Sequence, residues 1–183
     1  QAEQHLKKAI DMQPLWPAPH NNLARLYLRQ GKKREAIERL KAGIRANPRD
    51  AAGYLTLAMI HEQAKDNDAA MAVYEKALKH NPNFWFAANN LAYQIVSRDG
   101  DVDEALKYAL IAKEARPDDP SIMDTLGWVY YKKGLYGNAI QELKDTLAKL
   151  PDNATVNYHL GAAYFQKGDK GRAKPLLEKA LAL

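Results

Sequence analysis

The sequence predicts an all-α fold of helix–turn–helix units stacked into a solenoid. Three observations carry that reading. Leu-Ala or Leu-Gly pairs recur at Leu23-Ala24, Leu57-Ala58, Leu91-Ala92, Leu126-Gly127 and Leu160-Gly161, spaced by 34 residues in three cases and 35 in one. An alanine follows each pair twelve residues on (thirteen in the third case), at Ala36, Ala70, Ala105, Ala139 and Ala173. Prolines close the period at Pro48, Pro82, Pro117 and Pro151. A repeat of this length is one supersecondary unit that cannot bury its apolar face alone, so neighbours stack to share a core.

Phased from Pro17, the units are 17–50, 51–84, 85–119, 120–153 and 154–183. Each is expected to hold a helix A, a tight turn, a helix B and a short Pro/Asp/Asn linker. Ala2, Leu6, Ala9 and Pro14 stand one period before Ala36, Leu40, Gly43 and Pro48. Residues 1–16 are therefore expected to be the second helix of a preceding repeat, in a chain cut from a longer one, and the total is about eleven helices. In the first helix A, His20, Leu23, Ala24 and Tyr27 fall at helical spacing and form one buried face. The eighth position of every unit is Ala or Gly because helices cross there at close range. A larger side chain would force them apart.

The turns support this phasing. Gly31, Gly134 and Gly168 follow helix A where a left-handed cap is wanted. Asp101 with Glu104 three residues on, and Asp119 before Pro120, are helix-start signals. Glu35–Arg39 and Glu75–Lys79 are i,i+4 pairs in the favourable order. Pro175 falls inside the last expected helix and predicts a kink or irregular turn there.

Composition narrows the function. Hydrophobic residues make up 46% of 183, enough for a continuous core, yet no run of 18 apolar residues would cross a membrane. With no cysteine there is no disulfide framework, thiolate nucleophile or Cys-ligated zinc. The net charge of +5 comes from 27 basic and 22 acidic residues mixed along the chain. Basic clusters near the A–B turns (Lys32 to Arg34, Lys132-Lys133, Lys167 to Lys174) alternate with turns carrying Asp66, Asp68, Asp99, Asp101 and Asp103. That breaks the continuous basic footprint a phosphate backbone needs, so nucleic acid is not an expected partner.

Signals for chemistry fail on spacing. His61-Glu62 begins like a zinc-protease motif, but Lys65 stands where the second histidine belongs. Asp99, Asp101, Asp103 and Glu104 lack the length and closing Glu of a calcium loop. The five histidines do not cluster in sequence, and there is neither a phosphate-binding glycine loop nor a nucleophile elbow. No catalytic residue, metal or cofactor is expected.

The units resemble tetratricopeptide (TPR) repeats. The resemblance is clearest from Asp124 to Gly134 (Asp-Thr-Leu-Gly-Trp-Val-Tyr-Tyr-Lys-Lys-Gly), continuing to Ala139, Leu143 and Pro151, and it covers nearly the whole chain. The fourth position departs from the family's common Trp, holding His20, Tyr54, Ala88, Met123 and Asn157. The resemblance implies a right-handed superhelix and a non-catalytic protein-interaction scaffold. A looser similarity is to the long bacterial TPR proteins of exopolysaccharide export, exosortase-type sorting and organelle assembly. It would imply an extracytoplasmic setting; otherwise the family is compatible with a cytoplasmic one.

In such a superhelix, helix A lines a concave wall, and the side chains free of A–B packing fall at the second, fifth, ninth and twelfth positions. The expected partner-binding residues are Asn21 and Arg25, then Leu55 and Met59, then Phe86, Asn89 and Tyr93. Asp124, Trp128 and Tyr131 follow, then Tyr158 and Phe165. The wall grows aromatic from Phe86 onward, and buried Trp and Tyr dominate binding hot spots. Asn21 and Asn89 would bond the backbone of a bound peptide. The alternative is that some rings only fill space between successive A helices. The Lys/Asn clamp that some TPR domains use for a C-terminal carboxylate is not matched by Asn21 and Arg25 or by Leu55 and Met59. The last helix, with Leu176, Leu177, Ala180, Leu181 and Leu183, is expected to leave apolar surface uncovered, which would promote self-association through uncapped ends.

Overall fold

The computed structural model describes residues 1–183 and consists of eleven α-helices without a strand. They are α1 (Ala2–Met12), α2 (Pro17–Arg29), α3 (Lys33–Ala46), α4 (Ala51–Gln63), α5 (Asn67–His80), α6 (Trp85–Ser97), α7 (Val102–Ala115), α8 (Pro120–Lys132), α9 (Tyr136–Lys149), α10 (Ala154–Gln166) and α11 (Lys170–Ala182). The fold class is the all-α helical-repeat solenoid. Two compact units divide the chain, Gln1–Ala87 and Ala88–Leu183.

In the first unit α2 pairs with α3 and α4 with α5, while α1 lies on α2 and α3 on α4. Ala24 and Ala58, the small members of the Leu-Ala pairs, are fully buried, as are Ala36 and Ala70. In the second unit α8 pairs with α9 and α10 with α11, α7 lies on α8, and α9 lies on α10. Its core joins Ala139, Ile140 and Leu143 of α9 to Leu160, Ala163 and Tyr164 of α10 and Ala173 of α11. The need for a small eighth residue is geometric. A Cβ on Gly127 would sit 2.6 Å from Leu143 Cγ, and one on Gly161 would sit 2.8 Å from Leu177 Cγ. Both contacts lie across an A–B pair.

The turns follow one plan. Gly31, Gly134 and Gly168 take the left-handed conformation with φ of 73°, 78° and 87°. The same station in the other two repeats is held by Lys65 and Asp99, at φ of 57° and 53°. Asp101 accepts from the backbone N–H of Asp103 and Glu104, and Asp119 from that of Ser121 with Pro120 in the first helical turn. The single inserted residue of the third repeat falls between α6 and α7, where the Gly100 N–H donates to the Ile95 carbonyl at 2.9 Å.

One sequence expectation is narrowed. The irregular turn expected at Pro175 does not form; α11 runs from Lys170 to Ala182 with the proline inside it. The loss is small because the proline lies in the second turn. Its missing N–H removes one bond, to the carbonyl of Gly171, near a terminus where the first four N–H groups are unpaired in any helix. Asp169 caps that terminus by accepting from the Arg172 N–H.

Candidate functional site

Helices α8 and α10, and α6 from Ala88 onward, are the A helices of the second unit, and their side chains surround a cleft of about 310 Å³. Asn89 and Tyr93 come from α6, Ser121, Asp124 and Thr125 from α8, and Asn153, Thr155 and Val156 from the start of α10. Asn89 and Tyr93 are four apart, as are Ser121 and Thr125, so each pair lies on one face of its helix. Tyr93 is 43% exposed. Asn89 is only 7% exposed, and its Oδ1 has no hydrogen-bond partner. An unmet buried amide oxygen costs about 1–3 kcal/mol, so the floor of the cleft holds polar capacity the fold does not use.

Beside the cleft the rings form a braced cluster. Trp128 stacks on Tyr131 with centroids 4.5 Å apart and on His159 at 4.1 Å. The His159 ring is 5% exposed and bonded through Nδ1 to Asp124 Oδ1 at 2.9 Å. Asp124 therefore fixes the imidazole, and the imidazole backs the indole. Tyr158 reaches the same indole at 5.9 Å, and Lys132 Nζ lies 5.7 Å from the indole centroid. Trp128 and Tyr131 are half-buried, whereas Tyr158 and Phe165 are 50% and 51% exposed. The framework and the free contact surface are thus different rings.

The wall is nearly uncharged. Between Ala88 and Ser97, and along α10, there is no Asp, Glu, Lys or Arg; α8 contributes Asp124 and Lys132. Charge collects instead at the turns, where Lys132 pairs with Asp99 at 2.8 Å and Lys133 pairs with Asp103. Those lysines hold both carboxyls below the usual aspartate range, chiefly through the hydrogen bonds they donate. The acidic turn of the third repeat and the basic turn of the fourth thus neutralise each other.

In the first unit the expected residues have different fates. Asn21 is buried and donates through Nδ2 to Asp50 Oδ2 at 2.8 Å, so its NH2 serves the framework, while its Oδ1, like that of Asn89, has no partner. Arg25 is exposed, Leu55 half-buried and Met59 45% exposed. Phe86 packs edge-on to Tyr74 and Trp85, with centroids at 6.2 and 5.7 Å, and also meets Phe84. The sequence reading missed His159, whose partner lies 35 residues away, one period plus one. It also missed Thr125, which adjoins Asp124, and Asn153, the cap residue of α10.

The tetratricopeptide-repeat family matches this chain over residues 21–88 and 154–183, and a further TPR-repeat description matches residues 127–168. A TPR repeat-containing protein of Pseudomonas aeruginosa is 29% identical over 164 residues, which is 84% of this chain and 26% of that protein. The chain thus spans about a quarter of that relative's length. Among solved structures, YrrB, described as a TPR protein with an unusual peptide-binding site, superposes with a TM-score of 0.79 at 20% identity, over 97% of this chain and 91% of its own. MamA from Desulfovibrio magneticus RS-1 gives 0.74 at 22% identity, over 91% and 94%. At such identities the likeness is one of fold. No helix is long and apolar enough to cross a membrane.

Proposed function

Because the chain belongs to the tetratricopeptide-repeat family, whose members are typically non-catalytic modules that bind protein or peptide partners, we propose that its second unit holds a partner polypeptide in the cleft between α6, α8 and α10. The observation that carries this reading is the convergence of three A helices on one cleft with a polar floor, an exposed tyrosine, Tyr93, in its lining, and the ring cluster that includes Tyr158 beside it. Tyr93 and Tyr158 supply apolar contact at little entropic cost, since each has two side-chain torsions. Asn89, Ser121, Asn153 and Thr155 offer donors and acceptors to a peptide backbone that leaves water. Trp128, Tyr131 and Asp124 set the wall's shape through His159. The working repeats are those at 17–50, 51–84, 85–119, 120–153 and 154–183, with the helix of residues 1–16 before them.

The test begins with peptides selected from a random library against the intact protein. Tyr93→Ala and Tyr158→Ala should each weaken the selected peptide by roughly thirtyfold, about 2 kcal/mol, with helicity unchanged. Unchanged affinity in both variants would remove the cleft from the account.

A second reading is self-assembly. An apolar trough of about 530 Å³ lies between α10 and α11, lined by Tyr158, Leu177, Ala180 and Leu181, and Leu181 is 89% exposed. Sedimentation over a concentration series tests it: growth with concentration that Leu181→Glu abolishes supports assembly, and a strict monomer rejects it.

A further inference from the structure

The first unit contains a second cleft, of about 300 Å³, on helices α3, α4 and α5. Its floor is apolar: Ile44, Leu57 and Val73, with the Tyr54 ring. Its rim is cationic: Lys41, Arg45 and Lys76, and none of the lining residues is acidic. Arg45 and Lys76 make no ion pair, and Lys41 reaches Glu38 only at 3.7 Å, between two exposed side chains. Tyr54 is 2% exposed, and its hydroxyl has no hydrogen-bond partner. Burial and the charge of Asp50 push that hydroxyl's pKa up, so it remains a donor.

This combination is not a general consequence of the repeat. The equivalent place on α9, α10 and α11 has Ala148 for Arg45 and Asn157 for Tyr54. Asn157 donates to the carbonyls of Pro151 and Asn153, at 3.0 and 2.8 Å. Leu176, standing where Val73 does, packs on the core. Lys179, standing where Lys76 does, is paired with Asp152 at 2.9 Å. There the cation is paired and the amide NH2 donates twice within the chain, with only the Asn157 Oδ1 unpartnered, whereas in the first unit two cations and a buried hydroxyl are left over around an apolar floor.

We propose that this cleft binds a small amphipathic carboxylate, an aliphatic acid of about eight to ten carbons, a size suited to a pocket at the lower end of ligand-site volumes. The chain lies on Ile44, Leu57 and Val73, and the carboxylate is held among Arg45, Lys76 and Lys41, with Arg45 the donor whose fork fits a carboxylate. Tyr54 supplies the remaining hydroxyl donor. The site is independent of the peptide cleft and fails or stands separately from it.

Sodium octanoate titrated into the isotope-labelled protein, followed by amide chemical shifts, tests the proposal, with 1-octanol as a probe of equal length and no charge. Expected are saturable shifts confined to α3, α4 and α5, octanoate at least tenfold tighter than octanol, and at least fivefold weakening by Arg45→Glu and by Lys76→Glu. Tyr54→Phe should weaken octanoate while leaving octanol unchanged. Both charge reversals are at exposed positions, and circular dichroism confirms that they fold. Equal binding of octanol, indifference to both reversals, or shifts outside these helices overturns the proposal. So does saturation by an acidic apolar peptide where octanoate gives none, which would make the occupant a polypeptide.

Discussion

Alanine at position 127 would place a Cβ 2.6 Å from Leu143 Cγ and 2.8 Å from Leu143 Cδ2. Leu143 is fully buried in the α9–α10–α11 core, so it has no solvent to swing into. Overpacking of this kind costs about 1–3 kcal/mol. Removing a helix-interior glycine returns about 1 kcal/mol of intrinsic propensity. The expected net effect of Gly127→Ala is a destabilisation of up to about 2 kcal/mol. Gly137 is the internal control: it lies in α9, and a Cβ there meets nothing within 4 Å. Gly137→Ala should stabilise by about 0.5–1 kcal/mol. Urea unfolding monitored by far-UV circular dichroism reads both as opposite shifts of the midpoint at constant slope. Leu143→Ala alone should cost about 2–5 kcal/mol, and the double variant should fall short of the sum because the clash is gone. A Gly127→Ala protein stabilised as much as Gly137→Ala, or strict additivity with Leu143→Ala, would refute the claim that the small residue sets the helix spacing.

Lys65 occupies a left-handed station that three other repeats fill with glycine, so Lys65→Gly should raise stability by about 1 kcal/mol, read as a higher urea midpoint. Asp99 and Asp103 have carboxyls held below their ordinary values by Lys132 and Lys133. Their contribution is present above the unfolded-state value near about pH 3.9 and is lost as pH falls through the lowered folded values. The parent's midpoint should therefore decline more steeply on acidification than that of the Asp99→Asn/Asp103→Asn variant. Because Asp124 is the sole charged residue lining the second-unit cleft, a selected peptide's affinity should change less than about threefold between roughly 0.05 and 0.5 M salt. Calorimetry at the two ionic strengths checks this.

The repeat itself was readable because its packing is local and periodic. Leu126-Gly127 and Leu143 belong to one helix pair, and small residues at a fixed station have a single packing reason. Left-handed caps at Gly31, Gly134 and Gly168 were readable for the same cause, while Lys65 and Asp99 were hidden because their residue types do not announce that backbone. At Pro175 the helix continues where an irregular turn was one of two expectations, because the cost of a proline depends on its distance from the helix start, a boundary the pattern places only to within a turn. The cleft was half legible. Asn89, Tyr93 and Asp124 came from repeat position alone, but the same rule applied to Asn21 met Asp50, a partner 29 residues away that no local pattern signals. His159 shows the same limit, since its role exists only once α8 and α10 lie side by side.

The most direct test of the account is to map where a library-selected peptide binds, by amide shifts and intermolecular contacts on the labelled protein. The account predicts that the largest changes fall on Asn89, Tyr93, Ser121, Asp124, Thr125 and Thr155, around one cleft of the second unit. Changes centred on α9 and α11, with those six residues silent, would contradict it.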